Sequence, residues 1–163
     1  MKDLTGRAEE LLDELSAIEP VYHQNYGDAC YLHLRSGARV LDKRSIRGVK
    51  QALVRLKALD QISLRRLCGE ELDRQLNLPL PLSKNLILVP LKMRQPVTGN
   101  DCAYGLVNLV SVRKVVSGAD GGSLIILDSG YSLKVMASRD ISFAHLGEGT
   151  LLRRHFVTDI WGM

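Results

Sequence analysis

Residues 124–146, LIILDSGYSLKVMASRDISFAHL, decide how this chain is read, because residues 31–53, YLHLRSGARVLDKRSIRGVKQAL, repeat their pattern. Each stretch reads as strand, Ser-Gly turn, strand and Ser-capped helix. Overlaid without a gap at an offset of 93 residues, Leu34 meets Leu127 and Ser36-Gly37 meets Ser129-Gly130. Val40 then meets Leu133, Ser45 meets Ser138 and Leu53 meets Leu146. The coincidences fall on the turn, the helix cap and core-type positions, where a hairpin-plus-helix unit is most constrained. Two tandem copies of one unit are therefore expected, in an α+β, β-rich chain.

Outward from these units, residues 4–18 carry Leu4, Ala8, Leu11, Leu12, Leu15 and Ile18 at helical spacing, opposite Glu9, Glu10, Asp13 and Glu14. This predicts an amphipathic helix stopped by Pro20, either packed on the body as core cover or used for dimerisation. In the first unit a strand over 29–34 turns at Ser36-Gly37 into 38–41. Ser45 then caps a helix whose apolar side is Ile46, Val49, Ala52, Leu53, Leu56 and Leu59. A strand over 62–68 and a short helix over 69–76 are expected next. Pro79 and Pro81 mark the clearest boundary, giving segments 1–19, 20–78 and 79–163. In the second half, strands are expected over 86–91, with Pro90 at an edge or bulge, and over 104–116. Residues 96–101 read as a loop and 117–123 as a hairpin connection. Gly147 and Gly149 end the second unit, a strand over 151–160 closes the chain, and Trp161 anchors it.

The 163 residues, 45% hydrophobic and 25% charged, fit a soluble globular protein, with no apolar run of the roughly 20 residues that a membrane span needs. The start, Met1-Lys2-Asp3-Leu4, is not that of a signal peptide. Three widely spaced cysteines, Cys30, Cys68 and Cys102, read as free thiols of a reducing, cytoplasmic compartment. Charge is unevenly placed. Residues 1–19 hold two basic and six acidic residues, net −4, and the remaining 20 basic and 12 acidic residues give +8. A body of that sign suits a polyanion, nucleic acid first.

Little points to catalysis or metal binding. Cys30 and His33 lie three apart on an expected strand and so face opposite ways. His145 and His155 fall in different elements. There is no Walker loop, GxGxxG or GxSxG, and the glycines of SGADGGS (117–123) sit between strands rather than between strand and helix. No catalytic residue, metal or cofactor is assigned. The basic residues form the candidate site: Lys43, Arg44 and Arg47 at the first helix, Arg139 at the second, then Arg65-Arg66 and Arg153-Arg154 with His155. Arginine and lysine in loops neutralise phosphates, and arginine also reads guanine edges or a narrow minor groove. RNA stays open, although aromatics for stacking are only 5% of the chain.

Leu127-Asp128-Ser129-Gly130, Ser138, Leu152-Arg153-Arg154-His155 and Ile160, with their first-half counterparts Leu34-Arg35-Ser36-Gly37, Ser45-Ile46, Leu53 and Leu64-Arg65-Arg66, resemble the LytTR type of bacterial DNA-binding domain. Residues 28–160 as a whole also resemble the ComK type of competence transcription factor, through Ile87-Leu88-Val89-Pro90, Cys102-Ala103-Tyr104 and the second strand-Gly-strand. The resemblance implies two tandem LytTR-like units with DNA contacts from loops and strand ends, and assembly on paired sites. The expected function is sequence-selective binding of double-stranded DNA in bacterial transcription control, by a non-enzyme, with a homodimer as a further partner state. The alternative is a protein-interaction adaptor on the same scaffold.

Overall fold

The computed structural model describes residues 4–57, 60–73, 76–95 and 102–159. The expected loop at 96–101 and Trp161 lie outside them. Among the described residues the chain is α+β, with nine strands in two antiparallel sheets. Strands β1 (Leu15–His23), β2 (Gly27–Leu34), β3 (Arg39–Asp42), β4 (Leu80–Ser83), β5 (Leu86–Lys92) and β6 (Tyr104–Asn108) make a six-stranded sheet in the order β3-β2-β1-β6-β5-β4. Strands β7 (Val112–Ser117), β8 (Ser123–Leu127) and β9 (Ser132–Val135) make a three-stranded one. Helices α1 (Ile46–Leu56) and α2 (Gln61–Leu72) follow β3, and α3 (Arg139–Asp159) follows β9.

The two quoted stretches adopt one local geometry. Strands β3 and β9 stand 93 residues apart, and Gly37 and Gly130 take φ of 92° and 91°, the left-handed region that favours glycine. In the turns Leu34 N–H donates to Ala38 O at 3.0 Å, and Leu127 N–H to Tyr131 O at 2.9 Å. At the helix starts Ser45 Oγ accepts from Gly48 N–H and Ser138 Oγ from Ile141 N–H, each at 3.3 Å. The match extends to the preceding strands. The register slips by one residue after Leu15 in β1 and after Val112 in β7. Arg35 N–H then meets Glu14 O at 2.9 Å, as Asp128 N–H meets Ser111 O at 2.8 Å. The two turns also touch: the His33 and Tyr131 rings lie 4.6 Å apart, and the Ser16 hydroxyl donates to Asp128 Oδ1 at 3.3 Å.

The six-stranded sheet is buried on both faces, which is why β5 reads LILVPLK without polar alternation. Leu86 and Leu88 join the core formed with Ile46, Val49, Leu53 and Val54 of α1 and Leu64 and Cys68 of α2. Ile87, Val89 and Leu91 turn the other way, onto Val115, Ile125, Leu127, Leu133 and Val135 of the second sheet and Leu146 of α3. Pro90 pairs with Leu106 of β6, and β4 ends before reaching it, so its missing N–H costs no ladder bond on the open side.

Several expected elements are replaced. The N-terminal amphipathic helix is a short 3₁₀ segment, Ala8–Glu14, and residues 15–18 belong to β1, in the interior of the sheet. Pro20 does not stop a helix; it pairs with Cys30 of β2, and the β1–β6 ladder has already ended at Ile18. The strand expected over 62–68 is part of α2, started by Asp60, whose carboxylate accepts from Ile62 N–H and the Ser63 hydroxyl. Its buried residues, Leu64 and Cys68, are spaced four apart. The strand expected over 104–116 breaks at Asn108 into β6 and β7. There the buried Asn108 amide donates to Leu15 O and Asn85 O and accepts from Ile87 N–H, locking β6 into the first sheet before the chain crosses to the second.

Of the final strand expected over 151–160, residues 151–159 are instead the second half of α3, and residue 160 lies outside the described residues. Gly147 and Gly149 do not end that helix. A Cβ on Gly149 would stand 2.7 Å from Val89 Cγ2, so the missing side chain lets α3 lie directly on β5. The boundary near residue 79 falls between α2 and β4, yet strands from both sides of it share one sheet through β1 and β6.

Candidate functional site

The structure separates the nominated cations into those already engaged within the fold and those left open. Arg44 is engaged. Its Nε and Nη2 donate to the two oxygens of Asp42 at 2.9 and 2.7 Å, and its Nη1 reaches Glu9 Oε2 at 3.2 Å, with a second bond from Nη2 to Glu9 Oε1. Asp42 is buried and also accepts from the backbone N–H groups of Ala8 and Arg44 at 3.1 Å. Burial alone would push the Asp42 carboxyl up. The hydrogen bonds from Arg44 and Ala8 more than offset it and hold it below the usual carboxylate value. Glu9 is likewise held low by its hydrogen bond from Arg44, and the guanidinium is pushed up in return. Arg44 therefore ties the 3₁₀ segment to the β3–α1 loop, and its fork is not free for a phosphate.

The second copy's candidates are mostly engaged as well. Arg139 Nε donates to Val115 O at 3.3 Å, and its guanidinium lies 5.2 Å over the Phe143 ring. Arg153 Nε donates to Lys84 O at 2.6 Å, joining α3 to the β4–β5 turn. His155 Nδ1 stands 4.0 Å from Glu71 Oε2, where α3 meets α2. Arg154 is exposed on α3.

Lys43, Arg47, Arg65 and Arg66 are all exposed, and none makes a hydrogen bond or ion pair among the described residues. Lys43 Nζ sits 4.6 Å over the Tyr26 ring, which places the β1–β2 tip beside the entrance to α1. The sequence around them is one-sided: residues 43–66 hold eight basic residues and one acidic, net +7. The equivalent window of the second copy, 136–159, holds three of each. The hairpin-and-cap geometry is shared, but the charge of these two windows is not.

Between α1, α2 and the sheet opens a cleft of about 580 Å³. Arg47 and Lys50 reach it from α1 and Arg65 from α2, over a floor that includes Ile46, Leu64, Leu78, Leu80, Pro90 and Leu106. Among the described residues no carboxylate lines it. Lys50 is sunk into this wall, and burial, reinforced by the nearby Arg65 charge, lowers its pKa from the ordinary 10.5. Lys50 is not among the cations that the sequence nominates. The available signal was its position three residues after Arg47, on the flank of the Ile46–Val49–Leu53 stripe.

Other polar groups hold the fold together. His33 is buried, with Nε2 2.9 Å from Glu19 Oε1. Arg94 stacks over the Tyr22 ring at 4.0 Å and donates to Asp28 at 2.7 Å and to Cys102 O at 2.8 Å. Among the described residues no group of three His, Cys, Asp or Glu side chains is placed to hold a metal, and no helix is long and apolar enough to cross a membrane. Comparison of the chain with family models, curated proteins and solved structures finds no match.

Proposed function

We propose that the protein is a sequence-selective, double-stranded DNA-binding regulator of bacterial transcription, of the ComK/LytTR type, and that its first unit carries most of the contact. The observation that supports this reading is the net +7 of residues 43–66, with Lys43, Arg47, Arg65 and Arg66 exposed and making no hydrogen bond or ion pair among the described residues. Unpaired cations on neighbouring elements displace counterions from a phosphate backbone, and the release of those ions drives binding. The fold provides the α1–α2 face as a platform, and Lys43 at the β3–α1 loop extends it. The second unit, whose equivalent window 136–159 carries no net charge, contributes shape and the two-sheet core.

Selection of bound duplexes from a random pool, followed by salt titration of the winner against scrambled DNA, tests this. The expected result is a motif bound at least about 1,000-fold better than scrambled DNA. In Arg47→Ala plus Arg66→Ala, the slope of log affinity against log salt falls in magnitude by about 1.8, roughly 0.9 for each lost phosphate contact. Arg153→Ala plus Arg154→Ala leaves the slope near wild type. If the second pair moves the slope and the first does not, the contact surface is misassigned.

The adaptor reading has its own observation: α3 exposes Ile141, Phe143 and Leu151. Weak, sequence-blind DNA binding that vanishes with salt would leave that reading ahead.

A further inference from the structure

We propose that the cleft beneath α1 binds a small amphipathic anion, with Lys50 and Arg65 holding its acidic head and the leucine-lined floor covering an aliphatic tail. Three observations converge on this ligand class. First, Lys50 lies in the wall of the cleft and makes no hydrogen bond or ion pair among the described residues. An ammonium withdrawn from water, with no carboxylate beside it among the described lining residues, is an open position for an anion. Second, Arg47, Lys50 and Arg65 surround the opening, and among the described residues no carboxylate lines it, so these residues favour an anion over a cation. Third, the floor is mostly aliphatic and proline, with Tyr104 the single aromatic residue among the described lining residues. The volume of about 580 Å³ lies within the range of about 300–1,000 Å³ typical of small-molecule sites.

A duplex does not satisfy this recess. Its phosphates lie on a convex surface and reach rim cations such as Arg47, whereas Lys50 sits below the rim beside apolar side chains that a phosphodiester backbone leaves uncovered. The inference stands independently of DNA binding, and it is measured without DNA.

The fold supplies a reporter. Cys30 and Cys68 are buried and their thiols are pushed up by desolvation, Cys68 to about 12, whereas Cys102 is half-exposed and lines the cleft. In the native protein iodoacetamide therefore modifies Cys102 first, and a ligand in the cleft shields it.

The experiment is calorimetric titration of the full chain with decanoate, with decan-1-ol and decyltrimethylammonium as controls, on wild type and Lys50→Met. The expected result is decanoate binding that weakens at least about tenfold in Lys50→Met. That variant keeps the side-chain volume, removes an unpaired cation and melts no lower than wild type, so weaker binding is not lost folding. Decanoate slows Cys102 alkylation, and neither control ligand does. Equal decanoate affinity in wild type and Lys50→Met overturns the proposal, as does equal binding of decan-1-ol. Absence of binding, or binding that leaves Cys102 alkylation unchanged, overturns it too. Decyl phosphate identifies the head: tighter binding than decanoate makes it a phosphate and weaker binding a carboxylate, and either result supports the site.

Discussion

Arg44 and Arg47 are three residues apart and chemically identical, yet the fold uses them for opposite purposes. Arg44 neutralises Asp42 and Glu9, one of them buried, while Arg47 is left facing solvent at the cleft rim. Truncating Arg44 leaves the buried Asp42 carboxylate without its cation, and Arg44→Ala is expected to cost about 3 kcal/mol in urea unfolding at neutral pH. The pH dependence follows from the two depressed carboxyl groups. Their folded pKa values lie below the unfolded ones, so their stabilisation is fully present above the ordinary carboxylate range and is lost as pH falls through the folded values. Wild type therefore loses stability steeply on acidification, and Arg44→Ala shows a shallower loss over the same interval. Equal slopes would show that the Arg44 cluster does not set the acid limit.

At the scale of the element, α3 shows how one residue type takes two roles four atoms of backbone chemistry cannot distinguish. Gly147 has open space where a Cβ would be, whereas at Gly149 a Cβ would meet Val89 of β5 at 2.7 Å. Gly147→Ala gains helix propensity at no steric cost and is expected to stabilise by about 0.8 kcal/mol. Gly149→Ala must push α3 off the sheet and is expected to destabilise despite the same gain in propensity. Thermal melts of the two variants, shifting in opposite directions, check both. The turns make a related point: Gly37 and Gly130 share one conformation, but Arg35 of one turn faces Asp128 of the other, Nε to Oδ2 at 4.0 Å. Equivalent positions in the two units carry opposite charges where they meet.

For the whole molecule, the two units are not separable parts. β1 of the first unit pairs with β6, and one face of the shared sheet is covered by α1 and α2, the other by the second sheet. A fragment covering residues 79–163 loses β1 along the edge of β6 and loses the helical cover from the face of β5 carrying Leu86 and Leu88. It is expected to show no cooperative thermal transition by circular dichroism, whereas the full chain shows one. A cooperative melt in the fragment would mean that the second half carries its own core.

The sequence alone determined the features that close within a few residues. The Ser-Gly turns, the Ser45 cap and the hairpin-to-helix order were legible because each rests on backbone bonds between near neighbours and on the φ freedom of glycine. The contrast between net +7 and net zero in equivalent windows was also written there. Tertiary structure decided what depends on distant partners: that residues 15–18 enter a central strand, that residues 151–159 continue a helix, and that Arg44 is engaged while Lys50 is sunk without a hydrogen bond or ion pair among the described residues. Hydrophobic spacing at 4–18 and 62–68 suits more than one element, and the contacts that choose between them come from far along the chain, as Glu9 to Arg44 and Ser16 to Asp128 do. Burial and ion pairing are properties of the assembled core, so a cation's availability is fixed only when the strands have found their order.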